Sequence, residues 1–283
     1  MFKLFKPLLN NFPLIANCYR YVRDYRELNK DVKYRNILGF FFNGPKAMEE
    51  GTFEPQETFI FEKVIHRFDM FINIGANTGY YVCKALKCGT DVVAFEPNQL
   101  NVNFMLKNIE ANNFINTFQL FPIALSNKLG VMPIFGASTG ASLVEGWADQ
   151  YNKNLTPIST FDKTAKSLII DKDCFILIDI EGAELDCLKG AETLLKSDAN
   201  HLFLIEISIG EHQPHGVEIN PNLLETFELM DSFGYVAFTA DKELRKIHLS
   251  EVKEVAESHI DSLGVHNFLF LKQENFLNNL NLR

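Results

Sequence analysis

Two acidic residues that interrupt apolar runs are the first candidates for chemistry. Asp179 lies near the end of the run CFILIDI, and Glu206 lies inside the run HLFLIEIS. A carboxylate in such a run is costly to bury without a partner. We therefore expect each carboxylate to meet a specific partner, which could be a cation, a substrate hydroxyl or a loop amide.

The stretch FINIGANTGYYV (71–82) predicts a strand, a tight turn and the start of a helix near Thr78. Gly75 and Gly79 allow close approach of a ligand to the backbone, and Asn77 tolerates a left-handed conformation. Helix N-termini at the carboxyl ends of parallel strands present free N–H groups, so we expect a ligand here rather than a plain turn. The G-x-G-x-x-G spacing of dinucleotide loops is not met, which disfavours an NAD-dependent oxidoreductase.

A second acid completes this candidate cofactor site. Glu96 ends the run DVVAFE, 21 residues after Gly75. This spacing suits an acid that accepts the hydroxyls of a ribose. An adenosine without a pyrophosphate fits the turn best, and we expect Pro97, Asn98 and Ala124 to line the same site. A solvated acid at a strand end is the alternative for Glu96.

The elements that would position these residues alternate strands with helices, which predicts an α/β fold with a mostly parallel sheet. Seven apolar runs predict strands at 70–74, 91–96, 118–123, 174–180, 201–208, 235–240 and 267–272. Residues 124–173, which include a strand at 131–135, predict a lid insertion, and 209–222 predict a long polar loop. Residues 1–50 are interpreted as a helical extension of a main domain at 51–275.

The chain resembles a known family in six consecutive stretches. These are FINIGANTGYY, VVAFEPN, NVNFMLKNIEANN, STFDK, ILIDIEGAELDCLKGAETLL and LFLIEIS, and the resemblance as a whole runs from about Phe53 to Leu271. They closely resemble the FkbM family of S-adenosylmethionine-dependent methyltransferases. The resemblance implies a class I methyltransferase fold, Rossmann-like, with helices on both faces of a seven-stranded sheet whose last strand is antiparallel. It also implies O-methylation, commonly of sugars or of other secondary metabolites.

The resemblance adds one cofactor residue and one departure from the family. The family usually has Asp at the position of Asn73, where an acid would help to hold the ammonium of the methionine moiety. Asn73 can still accept a hydrogen bond but contributes no charge. An inactive cofactor-binding scaffold is the alternative that this departure encourages.

Class I strand order would make the strands of Asp179 and Glu206 neighbours, as in catechol-type methyltransferases, which bind magnesium there. We therefore predict a divalent cation site, Mg²⁺ or Mn²⁺, formed by Asp179, Glu206 and His215. Glu211 and His212 are further candidates from the same loop. The alternative is that the carboxylates bind loop amides and that the histidines are exposed.

Methyl transfer to a hydroxyl requires a base or a cation, because a sugar hydroxyl is a very weak acid. His215 is the first candidate base, and Asp179 is the second. The predicted acceptor is a sugar hydroxyl on a nucleotide-activated sugar or glycan precursor, and a non-sugar metabolite is the alternative. Lid residues expected to contact it are Trp147 and Tyr151 by stacking, and Lys153 and Lys163 through phosphates.

Composition excludes several other classes. The net charge of −9 disfavours nucleic acid as a partner, since such binding requires a surplus of Lys and Arg. Five cysteines without a C-x-x-C pair predict a reduced, cytoplasmic protein. No apolar run predicts an integral membrane segment. Residues 1–50, with nine basic against five acidic residues, are a candidate for peripheral membrane or oligomer contact.

Overall fold

The computed structural model describes residues 22–23, 25–136, 140–149 and 153–273, together with Leu277, Leu280 and Leu282. Its strands are β1 (Lys33–Arg35), β2 (Phe40–Phe42), β3 (Met70–Ile74), β4 (Asp91–Phe95), β5 (Phe118–Phe121), β6 (Ala124–Leu125), β7 (Gly130–Phe135), β8 (Lys153–Ser159), β9 (Cys174–Ile178), β10 (Leu202–Glu206), β11 (Val236–Thr239), β12 (Lys246–Ile247) and β13 (Asn267–Leu271). Its α-helices are α1 (Lys46–Glu49), α2 (Pro55–Val64), α3 (Tyr80–Lys87), α4 (Gln99–Glu110), α5 (Phe161–Thr164), α6 (Glu184–Lys189), α7 (Glu192–Lys196), α8 (Leu223–Ser232) and α9 (Leu249–Ser258).

A central sheet of eight strands organises the molecule, in the order β12-β11-β13-β10-β9-β3-β4-β5. The seven predicted strands are all present, and β13 lies antiparallel between β10 and β11, as the resemblance implies. The eighth strand, β12, pairs antiparallel with the outer side of β11 and was not predicted. Because β3, β4, β9 and β10 run parallel, their carboxyl ends meet at one edge of the sheet.

The strands are mostly apolar because helices cover both faces of the sheet. One face packs against α5 to α9 around residues such as Ile72, Ile176 and Phe203. The other face packs against α2, α3 and α4 around Phe71 and Phe175. Continuous apolar runs are typical of parallel strands buried on both faces, which explains why the sequence located them well.

The predicted helical extension at 1–50 needs a correction in its described part. Residues 33–42 form the antiparallel hairpin of β1 and β2, and α1 is the only helix within residues 31–50, all of which the structure describes. The aromatic run Phe40–Phe42 favours a strand. Phe40 and Phe42 are buried in the same core as α3, with the Phe42 ring 5.9 Å from that of Tyr80. Residues 1–21 and 24 lie outside the described part.

The predicted lid insertion contains a small second sheet. Strands β6, β8 and β7 pair in that order, and β7 covers the predicted strand at 131–135. A single 3₁₀ turn, Trp147–Asp149, precedes β8. The insertion returns to the central sheet through α5, whose N-cap Thr160 accepts a hydrogen bond from the Lys163 amide.

Asn108 on α4 ties the N-terminal hairpin to the turn that follows β3. Its side chain accepts from the Asn43 amide at 2.8 Å and donates to the carbonyls of Asn43 and Thr78, each at 3.0 Å. Asn108 is fully buried. Because a hydrophobic replacement would leave these backbone groups without partners, this side chain fixes how the N-terminal region sits beside the turn.

We expect Asn108→Ala to lower the free energy of unfolding by about 2–4 kcal/mol, measured by urea denaturation. Asn103→Ala on the same helix is the matched control, since its side chain only accepts from exposed Gln99. The control should change stability by less than about 0.5 kcal/mol. Equal effects of the two substitutions would show that the Asn108 contacts do not hold the N-terminal region.

Candidate active site

The turn after β3 is built by close contact with the segment after β9. Gly75 has φ +87°, and a Cβ there would lie 1.8 Å from the carbonyl oxygen of Asp179. The Asp179 amide donates to the Ile74 carbonyl at 3.0 Å. Asn77 adopts the predicted left-handed conformation, with φ 50°, and Gly79 caps α3. No side chain other than hydrogen fits at Gly75, so the glycine is required by the approach of the two backbones.

Glu96 organises the same turn through its carboxylate. It accepts from the amides of Asn77 at 2.7 Å and Asn98 at 2.8 Å, and from the Asn101 side chain at 3.3 Å. A carboxylate offers about four acceptor positions, so one remains for a ligand hydroxyl. Burial raises the pKa of Glu96 to about 7, against the lowering effect of these hydrogen bonds.

These groups border a pocket at the carboxyl edge of the sheet with about 580 Å³ of empty volume, counted with its open mouth. It is lined by Ile74, Gly75, Asn77, Phe95, Glu96, Pro97, Asn101, Ile123, Ala124, Leu125, Ile134, Ala141, Leu143, Asp179, Ile180, Glu181 and Ala183. We call this the cofactor pocket. It combines the predicted residues Gly75, Asn77, Glu96, Pro97 and Ala124 with an apolar wall from the insertion.

The other predicted cofactor residues lie beside this pocket. Asn73 is buried in β3, and its side-chain oxygen has no hydrogen-bond partner among the residues that the structure describes. Gly79 and Asn98 cap α3 and α4, and the Asn98 side chain accepts from the Leu100 amide at 3.0 Å. A buried acceptor without a partner is expensive, so Asn73 is the polar side chain here that most needs a donor from a ligand.

A second cleft, which we call the carboxylate cleft, adjoins the cofactor pocket. Ligand oxygens of Glu54, Asp179 and Glu206 all lie within 4.8 Å of one another. Glu54, at the start of α2, accepts from the Tyr81 hydroxyl at 2.9 Å. The structure thus brings Asp179 and Glu206 together as predicted, and adds Glu54, which sequence reasoning missed.

The carboxylate cleft is strongly acidic. Its lining is Glu54, Glu57, Leu177, Ile178, Asp179, Leu204, Glu206 and Asn267, and it continues outward along Pro55, Gln56, Ala240, Asp241, Gly264, Val265 and His266. Neither set of described residues includes a lysine or arginine. Burial and then the charge of Asp179 raise the pKa of Glu54 to about 8. Burial and then the charge of Glu54 raise the pKa of Glu206 to about 8.

Asp179 is the residue that the two spaces share, since it lines both the cofactor pocket and the carboxylate cleft. Burial, followed by the charge of Glu206, raises its pKa well above the usual range. A carboxylate in this position can accept a proton from a bound hydroxyl or bind a cation. Its position at the end of β9, beside the glycine turn, follows from the strand order.

Several predicted residues lie elsewhere. His215 is exposed and lies outside the group formed by Glu54, Asp179 and Glu206. Trp147 is 2% exposed and packs inside the lid rather than offering a face for stacking. Lys153 and Lys163 are exposed and border neither cleft. Tyr151 lies outside the described residues.

Glu54 was missed for a physical reason. The sequence FEPQE carries a helix start, because Pro55 occupies the first turn of α2. Nothing in that signal indicates which strands the helix start lies over. Only the packing of α2 on the sheet brings Glu54 within 4.8 Å of the two strand-end carboxylates.

The strand order, with an antiparallel strand β13 inserted before the edge, is that of the class I methyltransferase fold. The family model of the methyltransferase FkbM domain matches residues 73–237, more than half of the chain. The protein therefore belongs to the FkbM methyltransferase family. The match includes Asn73, Glu96, Asp179 and Glu206, whereas Glu54 lies before it.

Several solved structures are similar to this chain. The methyltransferase PaMTH1 of Podospora anserina, with S-adenosylhomocysteine bound, is 11% identical with a TM-score of 0.40, and the match covers 91% of this chain and 96% of that one. An O-methyltransferase of Bacillus cereus with S-adenosylhomocysteine has 12% identity and TM-score 0.38, covering 77% and 80%. A putative O-methyltransferase of Klebsiella pneumoniae has 10% identity and TM-score 0.40, covering 86% and 88%. No curated protein matches the chain significantly.

No helix among the described residues is both long and apolar enough to span a membrane.

The raised pKa values predict that stability falls as pH rises. The carboxyl of Glu54 has a pKa of about 8 when folded and 4.5 otherwise, so between these values the folded state binds more protons than the unfolded state. The free energy of unfolding should therefore fall between about pH 5 and about pH 8, and it should fall less in Glu54→Gln than in wild type. We expect the two decreases to differ by about 1–2 kcal/mol, allowing for partial exposure.

Urea denaturation at the two pH values measures this difference. Glu228→Gln, at an exposed position on α8, serves as the control and should follow wild type. Identical pH dependence of wild type and Glu54→Gln would contradict the raised pKa of Glu54.

Proposed function

We propose that the protein transfers a methyl group from S-adenosylmethionine to a hydroxyl group of a sugar or glycan precursor. The observation that carries the proposal is the position of Asp179, which borders both the cofactor pocket and the carboxylate cleft. A residue at this junction contacts the donor on one side and the acceptor on the other. Methyl transfer needs such proximity, because the acceptor oxygen must lie in line with the S–CH₃ bond.

The residues of the cofactor pocket suit S-adenosylmethionine. The free acceptor position of Glu96 fits a ribose hydroxyl. The apolar wall, which includes Leu125, Ile134 and Leu143, suits the adenine ring. The unpartnered oxygen of Asn73 suits the ammonium group of the methionine moiety. This placement is consistent with Asn73 serving as a neutral substitute for the family Asp.

When bound, S-adenosylmethionine supplies an electrophilic methyl group on a sulfonium. Transfer of this methyl group to the acceptor oxygen would release S-adenosylhomocysteine, and the chain would have to take up the hydroxyl proton. Asp179 is the base that takes this proton onto its carboxylate in our proposal. The raised pKa makes the ionised Asp179 carboxylate a stronger base, and the residue acts as the base from this ionised form. His215 is exposed and lines neither the cofactor pocket nor the carboxylate cleft, so Asp179 replaces it as the proposed base.

A divalent cation fits the carboxylate cleft by donor chemistry. Glu54, Asp179 and Glu206 offer three oxygen donors, which suit Mg²⁺ or Mn²⁺. Such an ion would offset the repulsion among these carboxylates and lower the pKa of a bound hydroxyl. The donor set proposed here replaces the predicted His215 with Glu54.

The charge of the cleft also favours one kind of acceptor. Glu54, Glu57, Asp241 and Glu206 border the cleft without a described lysine or arginine beside them. A phosphate in this cleft would meet no described cationic side chain to balance its charge, so phosphates would be bound poorly. We therefore propose an uncharged sugar as the preferred acceptor, with a nucleotide-activated sugar requiring the cation.

Asp179→Asn tests the catalytic assignment. We expect turnover to fall by at least about 100-fold, because the amide cannot take the proton. Binding of S-adenosylhomocysteine, measured by calorimetry, should be nearly unchanged. Wild-type turnover in Asp179→Asn would remove the residue from the mechanism, whereas lost cofactor binding would indicate a structural role.

A mass-spectrometric screen for methylated products tests the function and the cation together. Uncharged sugars and nucleotide sugars are incubated with S-adenosylmethionine and with Mg²⁺, Mn²⁺ or EDTA. We expect methylation of an uncharged sugar, stimulated by the cation and reduced in Glu54→Gln. Full activity after EDTA treatment would refute the metal site, and methylation of nucleotide sugars alone would refute the preference for an uncharged acceptor.

A further inference from the structure

Glu181 is a carboxylate of the active-site segment that the reaction does not use. It follows Asp179 by two residues and has φ 56°, a left-handed conformation that is uncommon outside glycine. Its carboxylate points to the insertion, where Oε2 accepts from Nε1 of Trp147 at 2.6 Å. Trp147 is 2% exposed, so this charged hydrogen bond is shielded from water and is one of the stronger kinds.

The indole of Trp147 lies directly on the backbone next to Glu181. A Cβ at Gly182 would lie 2.5 Å from the indole ring, so only glycine lets the ring approach this closely. The Ser142 hydroxyl donates to the Glu181 carbonyl and accepts from the Val144 amide at 2.9 Å. The insertion therefore binds Glu181 at two places, the carboxylate of its side chain and the carbonyl of its backbone.

His212 of the polar loop 209–222 packs against the same pair, Glu181 and Trp147. The His212 ring packs edge-on against Trp147, with centroids 6.1 Å apart, and its Nδ1 lies 3.8 Å from Glu181 Oε2. The Ala148 amide donates to the His212 carbonyl at 2.8 Å. Ala148 and His212 also have positive φ, 46° and 61°, so three left-handed residues meet at one point.

This contact also forms part of the cofactor pocket. Glu181 lines the pocket together with Ala141 and Leu143 of the insertion. Both wall residues are neighbours of Ser142 in the chain, and Leu143 also lies between Ser142 and Trp147. The side chains of Ser142 and Trp147 are the two that donate hydrogen bonds to Glu181. Loss of the Glu181 side chain would therefore remove a contact that holds this wall to the segment after β9, while the backbone pairing of Ser142 with Phe135 would remain within the insertion.

We propose that Glu181 is a positioning residue, which holds the insertion as a wall of the cofactor pocket through the indole of Trp147 and the hydroxyl of Ser142. Its removal opens the wall and weakens cofactor binding while the base, Asp179, remains in place. The effect on cofactor binding rests on the function proposed above, whereas the contact between Glu181 and the insertion is independent of that function.

Tryptophan fluorescence tests the fastening directly, because Trp147 is the only tryptophan of the chain. We compare the emission maximum and acrylamide quenching of wild type with those of Glu181→Ala and Glu181→Gln. Glu181→Ala should shift the emission to longer wavelength and raise quenching severalfold, whereas Glu181→Gln, which keeps an oxygen acceptor, should stay close to wild type. Glu145→Ala, at an exposed position of the insertion, is the matched control and should not change.

Calorimetry with S-adenosylhomocysteine tests the positioning role. Glu181→Ala and Trp147→Phe should each weaken binding by about tenfold, the loss expected for one shielded hydrogen bond to a charged group. The double variant should bind no more weakly than either single variant, since both remove the same interaction. In turnover, the loss should appear in KM for the methyl donor, with kcat at saturating donor retained.

Different failures can be told apart. Wild-type protein that does not bind S-adenosylhomocysteine would refute the proposed function, and the fluorescence of Glu181→Ala would still decide whether Glu181 fastens the insertion. Wild-type quenching of Glu181→Ala would overturn the fastening. Equal cofactor affinity in wild type, Glu181→Ala and Trp147→Phe would overturn the positioning role, as would additive losses in the double variant.

Discussion

The contact between the turn after β3 and the segment after β9 is the constraint on which the site depends. The Asp179 amide donates to the Ile74 carbonyl, and the Asp179 carbonyl oxygen occupies the space where a side chain at residue 75 would lie. Because these two backbones touch, the cofactor turn and the proposed base cannot move independently. The pairing of β3 with both β4 and β9 then fixes Glu96 on one side and the carboxylate cleft on the other.

The acids of the site divide into two kinds by their partners. Glu96 accepts from backbone amides, so its carboxylate helps to hold the turn after β3. Asp179 and Glu206 lie in the acidic cleft with Glu54 and gain repulsion from one another. Such an arrangement destabilises the free protein and is typical of a site built for a ligand rather than for the fold.

Strands could be predicted from the sequence because each is a short apolar run buried on both faces; β3 has the predicted bounds and β4 differs by one residue. Positions set by tertiary packing could not. The hairpin of β1 and β2 gains its stability from burying Phe40 and Phe42 against the domain, which local propensity does not reveal. Glu54 reaches the cleft only through the docking of α2. His215 was favoured by its chemistry, but an exposed loop gives no signal of where its side chain lies.

A crystal structure of the protein with S-adenosylhomocysteine tests the arrangement most directly. If Asp179 joins donor and acceptor sites, the ribose hydroxyls will contact Glu96, the amino group will lie near the Asn73 oxygen, and the sulfur will face Asp179 and the carboxylate cleft. A ligand bound away from the glycine turn, or one whose sulfur faces away from Asp179, would contradict the proposed site.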